Sequence, residues 1–137
     1  MNNLISVVVT CYNHEKYIEQ CLRSVFNQTY TNIELIVLDD GSTDSSPQII
    51  QEVLKDSPFD TKFETHENLG VVNNRNLGLE LIRGDYLLFV DSDNYLDADY
   101  VEQLYSKLTE TNADIVYCDL YNPEKEEFYL KSREFDL

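Results

Sequence analysis

The sequence predicts an α/β fold in which a mainly parallel sheet is covered by helices on both faces. Short apolar runs rich in β-branched residues alternate with segments whose apolar residues repeat at helical spacing. This alternation favours strand–helix–strand units, which build parallel sheets. The 137 residues, 42% of them hydrophobic and 26% charged, suffice to bury a core. We therefore expect one domain over residues 1–137, with its core in residues 1–120 and a tail at 121–137 whose pattern predicts no firm element.

The first half of the chain has the pattern of two strand–helix units. Ile5–Thr10 predicts the first strand and Ile33–Leu38 the second, since both runs are rich in β-branched residues. A helix is predicted from Glu15 onward. Its apolar face comprises Tyr17, Ile18, Cys21, Leu22, Val25 and Phe26. A second helix begins near Pro47, because proline suits the first helical turn, and Ser46 can serve as its N-cap.

The second half continues the alternation. The predicted elements are an edge strand at Lys62–His66, a helix at Val71–Ile82, a buried strand at Tyr86–Val90, a helix capped by Asp97 and a strand at Ile115–Asp119. Gly84 suits the stop after the third helix. In the aromatic tail, a further strand near Phe128–Leu130 is the alternative to an irregular segment.

The net charge of −16 limits the partners of the chain. Nucleic acid is excluded, because phosphate backbones are bound by lysine and arginine. A small phosphorylated ligand is compatible if a cation, an arginine or helix N-termini meet its charge locally. We find no apolar run of about 18 residues and no signal-peptide pattern. We therefore expect a cytoplasmic chain without a membrane span.

The three cysteines form no C-x-x-C pair, which fits a reduced chain without a disulfide framework. Cys21 falls on an apolar helical face and Cys118 in an apolar strand, so we expect both in the core. Cys11 lies beside the polar strand ends, where packing is the favoured role and a reactive thiol the alternative. His14 and His66 are expected to be exposed and receive no role.

Three predicted strands end in polar clusters, at Thr10–Asn13, Asp39–Asp44 and Asp91–Asn94. The carboxyl ends of parallel strands share one edge of a sheet, so these clusters should converge on one crevice. The glycine-rich fingerprints of dinucleotide-binding proteins and P-loop hydrolases are absent from the sequence. The crevice is therefore predicted to bind its ligand by other means.

Asp91 and Asp93 directly follow the most apolar strand. Two carboxylates there suit a hard divalent cation, and we hypothesise a metal that in turn holds a diphosphate. The alternative is that they cap the next helix or line a solvated turn. Arg75 also has two readings of equal weight: forked hydrogen bonds to a base or phosphate, or a salt bridge on the exposed side of its helix.

Five ordered motifs over residues 4–120 resemble those of family 2 glycosyltransferases, which have the GT-A fold. They are the opening strand and turn Ile5–Asn13, the helix end Ser24–Tyr30, the segments Val37–Asp44 and Asn74–Gly78, and the D-x-D of Asp91–Asp93. The resemblance implies a Rossmann-like GT-A domain truncated before its acceptor-binding half. It also implies metal-dependent transfer of sugar from a nucleotide-sugar, a UDP-sugar, to an acceptor hydroxyl with inversion, in polysaccharide biosynthesis.

The resemblance further implies roles for individual residues. Asp40 would accept the N–H of uracil on a turn supported by Asp39, and Arg75 would contact the base or the diphosphate. Asp91 would reach the ribose, and Asp93, with Asp91, would coordinate Mg²⁺ or Mn²⁺ bridging the diphosphate. The implied nucleotide-binding residues are Thr10, Tyr12, Asn13, Glu15, Asp40, Arg75, Asp91 and Ser92.

The chain departs from the family pattern in two places. Val72, Asn73 and Asn74 replace the usual small residues before the A-R-N position, which leaves the pocket shape open there. Asn94 replaces the frequent second acid after the D-x-D.

The catalytic residue remains unassigned. In this family the general base lies well beyond the D-x-D, so the resemblance implies a base beyond Leu137 and a longer enzyme. Two alternatives are left open: that C-terminal parts of such a longer enzyme dock at the inner face of the membrane, and that the protein forms a homo-oligomer. The implied acceptor is a saccharide or a lipid-linked saccharide. The alternative function is a non-catalytic nucleotide-binding or interaction module.

Overall fold

A computed structural model describes residues 3–130 of the chain, which form two compact units, one ending at Asp99 and the other beginning at Tyr100. The first unit contains the strands β1 (Ile5–Cys11), β2 (Ile33–Asp39), β3 (Asp60–Thr65) and β4 (Tyr86–Asp91) and the helices α1 (Ile18–Phe26), α2 (Ser46–Val53) and α3 (Val71–Leu81). A single 3₁₀ turn, Leu54–Asp56, follows α2. The second unit contains α4 (Tyr100–Thr111), β5 (Leu120–Asn122) and β6 (Glu127–Leu130).

The first unit is built on a four-stranded parallel sheet with the order β3-β2-β1-β4. The predicted α/β class with a mainly parallel sheet is therefore confirmed. On one face, Val8, Ile36 and Leu38 pack against side chains of α3 and β4. The opposite face carries Val7 and Val9 among other fully buried residues, so both faces of the central strands are covered. β3 lies at one edge with alternating exposure, as its polarity predicted.

The amino edge of the sheet holds a buried carboxylate. Glu34, 3% exposed, accepts hydrogen bonds from the Ser6 hydroxyl (2.5 Å), the Arg83 backbone (2.6 Å) and guanidinium (2.7 Å), and the Gly84 backbone (3.1 Å). Burial opposes ionisation of this carboxyl, but the hydrogen bonds outweigh burial and lower its pKa. This cluster lies at the opposite end of the sheet from the polar strand ends.

The start of α2 differs from the prediction for Ser46. The helix begins at Ser46 itself, and the Asp44 carboxylate accepts its backbone N–H at 2.9 Å. The Ser46 hydroxyl instead accepts the backbone N–H of His14 at 3.0 Å. The N-cap position is held by Ser45, whose side chain makes no capping hydrogen bond, and the carboxylate of Asp44, one residue earlier, accepts the first N–H of the helix instead.

The predicted strand at Ile115–Asp119 is wrong. These residues form no strand, and Ile115 is 81% exposed. Within the second unit β5 instead pairs antiparallel with β6, which confirms the strand near Phe128–Leu130. An apolar run becomes a strand only where a partner is in reach of its backbone groups.

The expectation for Cys118 is also wrong. It lies outside any strand and is only half-buried, with its thiol 3.3 Å from the Tyr100 hydroxyl. The expected tail beyond residue 130 lies outside the described residues, and the single-domain expectation stays a prediction. Over residues 3–130, every helix is too short or too polar to cross a membrane.

Candidate functional site at the carboxyl edge of the sheet

The segments after β1, β2 and β4 lie side by side at the carboxyl edge of the sheet. The register pairs Cys11 with Asp39 and Thr10 with Asp91. Backbone hydrogen bonds extend this pairing past the strands, from Asp40 N to Cys11 O (2.8 Å) and from Ser92 N to Thr10 O (3.1 Å). The three polar clusters therefore converge on one edge.

Arg75 and Asp91 form the charged centre of this edge. Asp91 Oδ1 accepts from Arg75 Nη2 at 2.8 Å and from the Thr10 hydroxyl at 3.3 Å. The guanidinium lies 5.5 Å from the centre of the Phe89 ring, within cation–π range. Arg75 Nε is buried and has no hydrogen-bond partner within residues 3–130. One of the two readings of Arg75, a salt bridge, is thus present, and it lies inside the candidate site, while the contact of Arg75 with a base or phosphate stays a prediction.

Asp40 lies at the neighbouring position, after β2, and is 4% exposed. Its carboxylate accepts the backbone N–H groups of Leu69 (2.7 Å) and Gly70 (3.0 Å), which precede α3. Ionised carboxylates offer about four acceptor positions, so Asp40 retains capacity for a further donor. The arrangement provides an oriented acceptor at the edge.

The turn that carries Asp40 is stabilised by hydrogen bonds to the buried side chain of Asp39. This residue is fully buried, and its Oδ2 accepts from Ser42 N (3.1 Å) and the Thr65 hydroxyl (3.0 Å). Its Oδ1 has no hydrogen-bond partner within the described residues. Gly41 follows with φ +73°, and a Cβ there would lie 2.8 Å from the backbone nitrogen of Asn68. The turn therefore requires glycine for both its conformation and its packing.

Asn13 and Glu15 connect the first loop to the second. Asn13, at φ 54°, donates from its backbone to the Ser42 hydroxyl (2.8 Å), and its Oδ1 accepts from Thr43 N (2.7 Å). Glu15 Oε2 accepts from Ser45 N at 2.9 Å. Both side chains thus have protein partners, whereas Tyr12 is 46% exposed. Nucleotide contacts by these three residues stay predictions.

The D-x-D turn combines a buried Ser92 with an exposed Asp93. The Ser92 hydroxyl lies 2.7 Å from His14 Nδ1, which fixes the turn against the first loop. Ser92 is fully buried. Its side chain thus already has a protein partner, and its nucleotide contact stays a prediction.

The segment after the D-x-D is anchored by the predicted helix-end motif. Ser24 Oγ accepts from Leu96 N (3.0 Å), and Gln28 Nε2 donates to Asp97 O (2.7 Å). Thr29 N donates to Ala98 O at 2.8 Å. The motif at Ser24–Tyr30 therefore positions the chain that leaves the D-x-D.

The donor set at this edge suits a hard divalent cation that is shared with a ligand. Asp91 and Asp93 offer carboxylate oxygens, and within residues 3–130 no cluster of three or more His, Cys, Asp or Glu side chains could hold a metal by itself. Mg²⁺ in phosphate-handling sites is commonly held by one or two carboxylates plus substrate phosphates. The residues present fit that mode of binding.

Both histidines were missed by the sequence analysis. His14 and His66 are half-buried rather than exposed, and each contacts the predicted site: His14 through Ser92, and His66 at 3.7 Å from Asp40 Oδ1. The available signal was their position, since His14 lies in the turn after the first predicted strand and His66 is the last residue of the predicted edge strand. The interpretation of Cys11 as a packing residue agrees with its burial, which raises the pKa of its thiol.

Comparison with known proteins places this edge in context. A family model described as glycosyl transferase family 2 matches residues 6–135. Glycosyltransferase GlyA of Streptococcus pneumoniae serotype 4 is 43% identical over 124 residues, which cover 89% of this chain and 17% of GlyA.

Solved structures agree with this match. S. aureus TarS 1–349 in complex with UDP-GlcNAc is similar with a TM-score of 0.73 and 33% identity, over 81% of this chain and 32% of that one. The mannosyltransferase PcManGT from Pyrobaculum calidifontis, in complex with GDP-Man and Mn²⁺, is similar with a TM-score of 0.63 and 25% identity, over 72% of this chain and 30% of that one. The chain thus spans a third or less of the length of these three proteins.

Proposed function

Because this chain belongs to glycosyl transferase family 2, we propose that its carboxyl edge binds a nucleotide-sugar, specifically a UDP-sugar, as donor for sugar transfer to an acceptor hydroxyl. The proposal includes inversion at the transferred carbon and a divalent cation. Its acceptor is a saccharide or a lipid-linked saccharide.

The observation that carries the proposal is the convergence of Asp40, the Arg75–Asp91 pair and Asp93 at one edge. A nucleoside diphosphate presents base N–H groups, ribose hydroxyls and a charged diphosphate. The edge offers the buried acceptor Asp40, the part-exposed carboxylate of Asp91 paired with Arg75, and the exposed carboxylate of Asp93. Ligands of open α/β sheets bind at such an edge.

The polar groups suggest an order for the donor along the edge. Asp40, with its carboxylate held by Leu69 and Gly70, accepts an N–H of the base. Asp91 accepts from the ribose, while the Arg75 guanidinium offers donors to base or diphosphate oxygens. Thr10 keeps Asp91 oriented through its hydroxyl. Binding by these groups fixes the leaving diphosphate relative to the sugar.

Asp93, with Asp91, would hold Mg²⁺ or Mn²⁺ against the diphosphate. When bound, such a cation acts as a Lewis acid that stabilises the charge of the leaving diphosphate. The PcManGT complex with GDP-Man and Mn²⁺ supports this assignment by similarity. The general base that takes the proton of the acceptor hydroxyl remains unassigned.

Calorimetric titration with UDP, with Mn²⁺ or with EDTA, tests donor binding and its metal dependence together. We expect Mn²⁺ to tighten UDP binding at least about tenfold, which corresponds to about 1.4 kcal/mol. Asp93→Asn should remove this difference without unfolding the chain, because its side chain is exposed. Asp97→Asn, an equal charge change at an exposed aspartate four positions on, is the matched control and should keep it.

The two parts of the proposal fail separately. Wild-type protein that does not bind UDP in Mn²⁺ would overturn donor binding. If Asp93→Asn binds UDP with the full Mn²⁺ enhancement, the metal role of Asp93 is wrong while donor binding stands.

A further inference from the structure

We propose that His66 is a positioning residue that orients Asp40 for the nucleobase, an inference that rests on the proposed donor binding. His66 has no place among the motifs of the sequence. In the structure it connects the ends of β2 and β3 with the first turn of α3.

The contacts of His66 reach three segments. Its backbone N–H donates to Asp39 O at 3.3 Å, and its ring Nδ1 lies 2.8 Å from Glu67 O and 3.7 Å from Asp40 Oδ1. Nε2 lies 3.0 Å from Asn74 Oδ1. The ring side chain is 19% exposed, so these contacts are largely shielded from water.

Asp40 depends on this arrangement for its orientation. Its carboxylate is held by the backbone N–H groups of Leu69 and Gly70, in the loop that His66 begins. The ring adds a polar neighbour to Asp40 Oδ1 on the side of β3. Removal of the ring would delete its contacts with Glu67, Asn74 and Asp40, and we expect this to loosen the loop and the carboxylate that the loop holds.

Asn74 connects His66 to Arg75 through α3. Asn74 is 2% exposed, lies in α3 and directly precedes Arg75. Its hydrogen bond to His66 ties α3 to the end of β3, while the next residue pairs with Asp91. The contact between His66 and Asn74 therefore constrains the distance between the base end and the diphosphate end of the site.

The ratio of the affinities for UDP and CDP is a readout that a purely structural role of His66 would not change. Uracil presents an N–H at position 3 that an ionised carboxylate accepts, whereas cytosine presents an acceptor there, which the carboxylate repels. A well-oriented Asp40 should therefore favour UDP over CDP. A loosened Asp40 loses this preference, whereas general damage to the pocket weakens both ligands alike.

The test is titration of wild type, His66→Ala and His66→Gln with UDP and with CDP in Mn²⁺. We expect His66→Ala to weaken UDP about tenfold, because a less well-oriented Asp40 forms a weaker hydrogen bond with the uracil N–H, and to lower the UDP-to-CDP preference by a similar factor. His66→Gln should largely restore the preference, because the glutamine amide can form a hydrogen bond with Asn74 in place of Nε2, as donor or as acceptor. Glu52→Gln, at an exposed position of α2, is the control and should behave as wild type.

Two results would overturn the inference. An unchanged UDP-to-CDP ratio in His66→Ala, with UDP and CDP weakened equally or not at all, would assign His66 a general structural role or none. Failure of His66→Gln to restore the ratio in a folded protein, checked by thermal melting, would also contradict it. Failure of the wild type to bind UDP overturns the proposed function first, so the two failures are distinguishable.

Discussion

Replacing Arg75 with glutamine should separate its role in donor binding from its role in stability. The Arg75–Asp91 pair is part-exposed, with side chains 41% and 48% accessible, so it contributes at most about 1 kcal/mol to stability. The contact with Phe89 adds about 0.5–1 kcal/mol. We therefore expect Arg75→Gln to lower the free energy of unfolding by at most about 2 kcal/mol.

The effect of Arg75→Gln on donor binding should be larger. A hydrogen bond to a charged group contributes about 1.5–3 kcal/mol, and loss of one to the donor corresponds to an increase in Kd of about 10- to 150-fold. Calorimetric titration with UDP in Mn²⁺ measures the Kd, and urea unfolding measures the stability of the same variant. The predicted signature is a large change in Kd with a small change in stability.

Glu34→Gln is the matched control, since it changes one charge at the opposite edge of the sheet. It weakens hydrogen bonds from Ser6, Arg83 and Gly84 to a buried carboxylate, which should cost about 1–3 kcal/mol of stability. Its Kd for UDP should equal that of the wild type. If Arg75→Gln instead lowers stability and leaves the Kd for UDP unchanged, Arg75 forms a structural salt bridge only, and its assignment to the donor is wrong.

Two further predictions concern the turn after β2 and the acid stability of the sheet. Gly41→Ala should destabilise the fold by about 2 kcal/mol and weaken UDP binding, because residue 41 has φ +73° and the new Cβ would meet Asn68 N at 2.8 Å. Urea unfolding measures the stability and calorimetric titration measures the Kd for UDP. A variant with the stability and the Kd of the wild type would contradict this prediction. The pKa of Glu34 is lowered in the fold, so its stabilisation is present above its ordinary value of 4.5 and is lost as pH falls below that value towards the folded pKa. Urea unfolding at stepped pH should show a shallower loss of stability on that acid side in Glu34→Gln than in the wild type, and equal slopes would refute the reasoning.

The parallel sheet was predictable because its signal is local. The runs that form β1, β2 and β4 are continuous and apolar, as strands covered on both faces must be. Once these strands are parallel, their carboxyl ends must share an edge, so the convergence of the three polar clusters followed from pattern alone. The resemblance of the motifs then supplied roles that spacing could not.

The predictions that were wrong or missing concern residues whose structural contacts lie far away in the sequence. Ile115–Asp119 has an apolar pattern, but pairing depends on a neighbouring strand, and β5 and β6 pair with each other instead. The pattern predicts His66 as the last residue of an edge strand, and its contacts with Asp40 and Asn74 exist only after β2, β3 and α3 assemble. Periodicity reports which face of an element is apolar, and it carries no information on which polar side chains meet across elements.

The same limit applies to Asn13 and Glu15. The motif assigned both to the nucleotide, yet their side chains bind backbone N–H groups of Thr43 and Ser45 in the neighbouring loop. A polar residue beside a ligand site can hold the loops as well as the ligand. Only the geometry shows that these two already have loop partners.

Charge balance gives a physical reason for the metal dependence that we propose for this chain. The edge gathers Asp39, Asp40, Asp91 and Asp93, and the nearby cation, Arg75, is already paired with Asp91 at 2.8 Å. A diphosphate that approached this edge alone would add negative charge to a protein of net charge −16. A divalent cation held by Asp93 would offset that repulsion, and Arg75 would then orient the ligand rather than neutralise it. It follows that in EDTA the affinity for UDP should rise with added salt, which screens the repulsion, whereas in Mn²⁺ it should not, and titration at two ionic strengths distinguishes these outcomes.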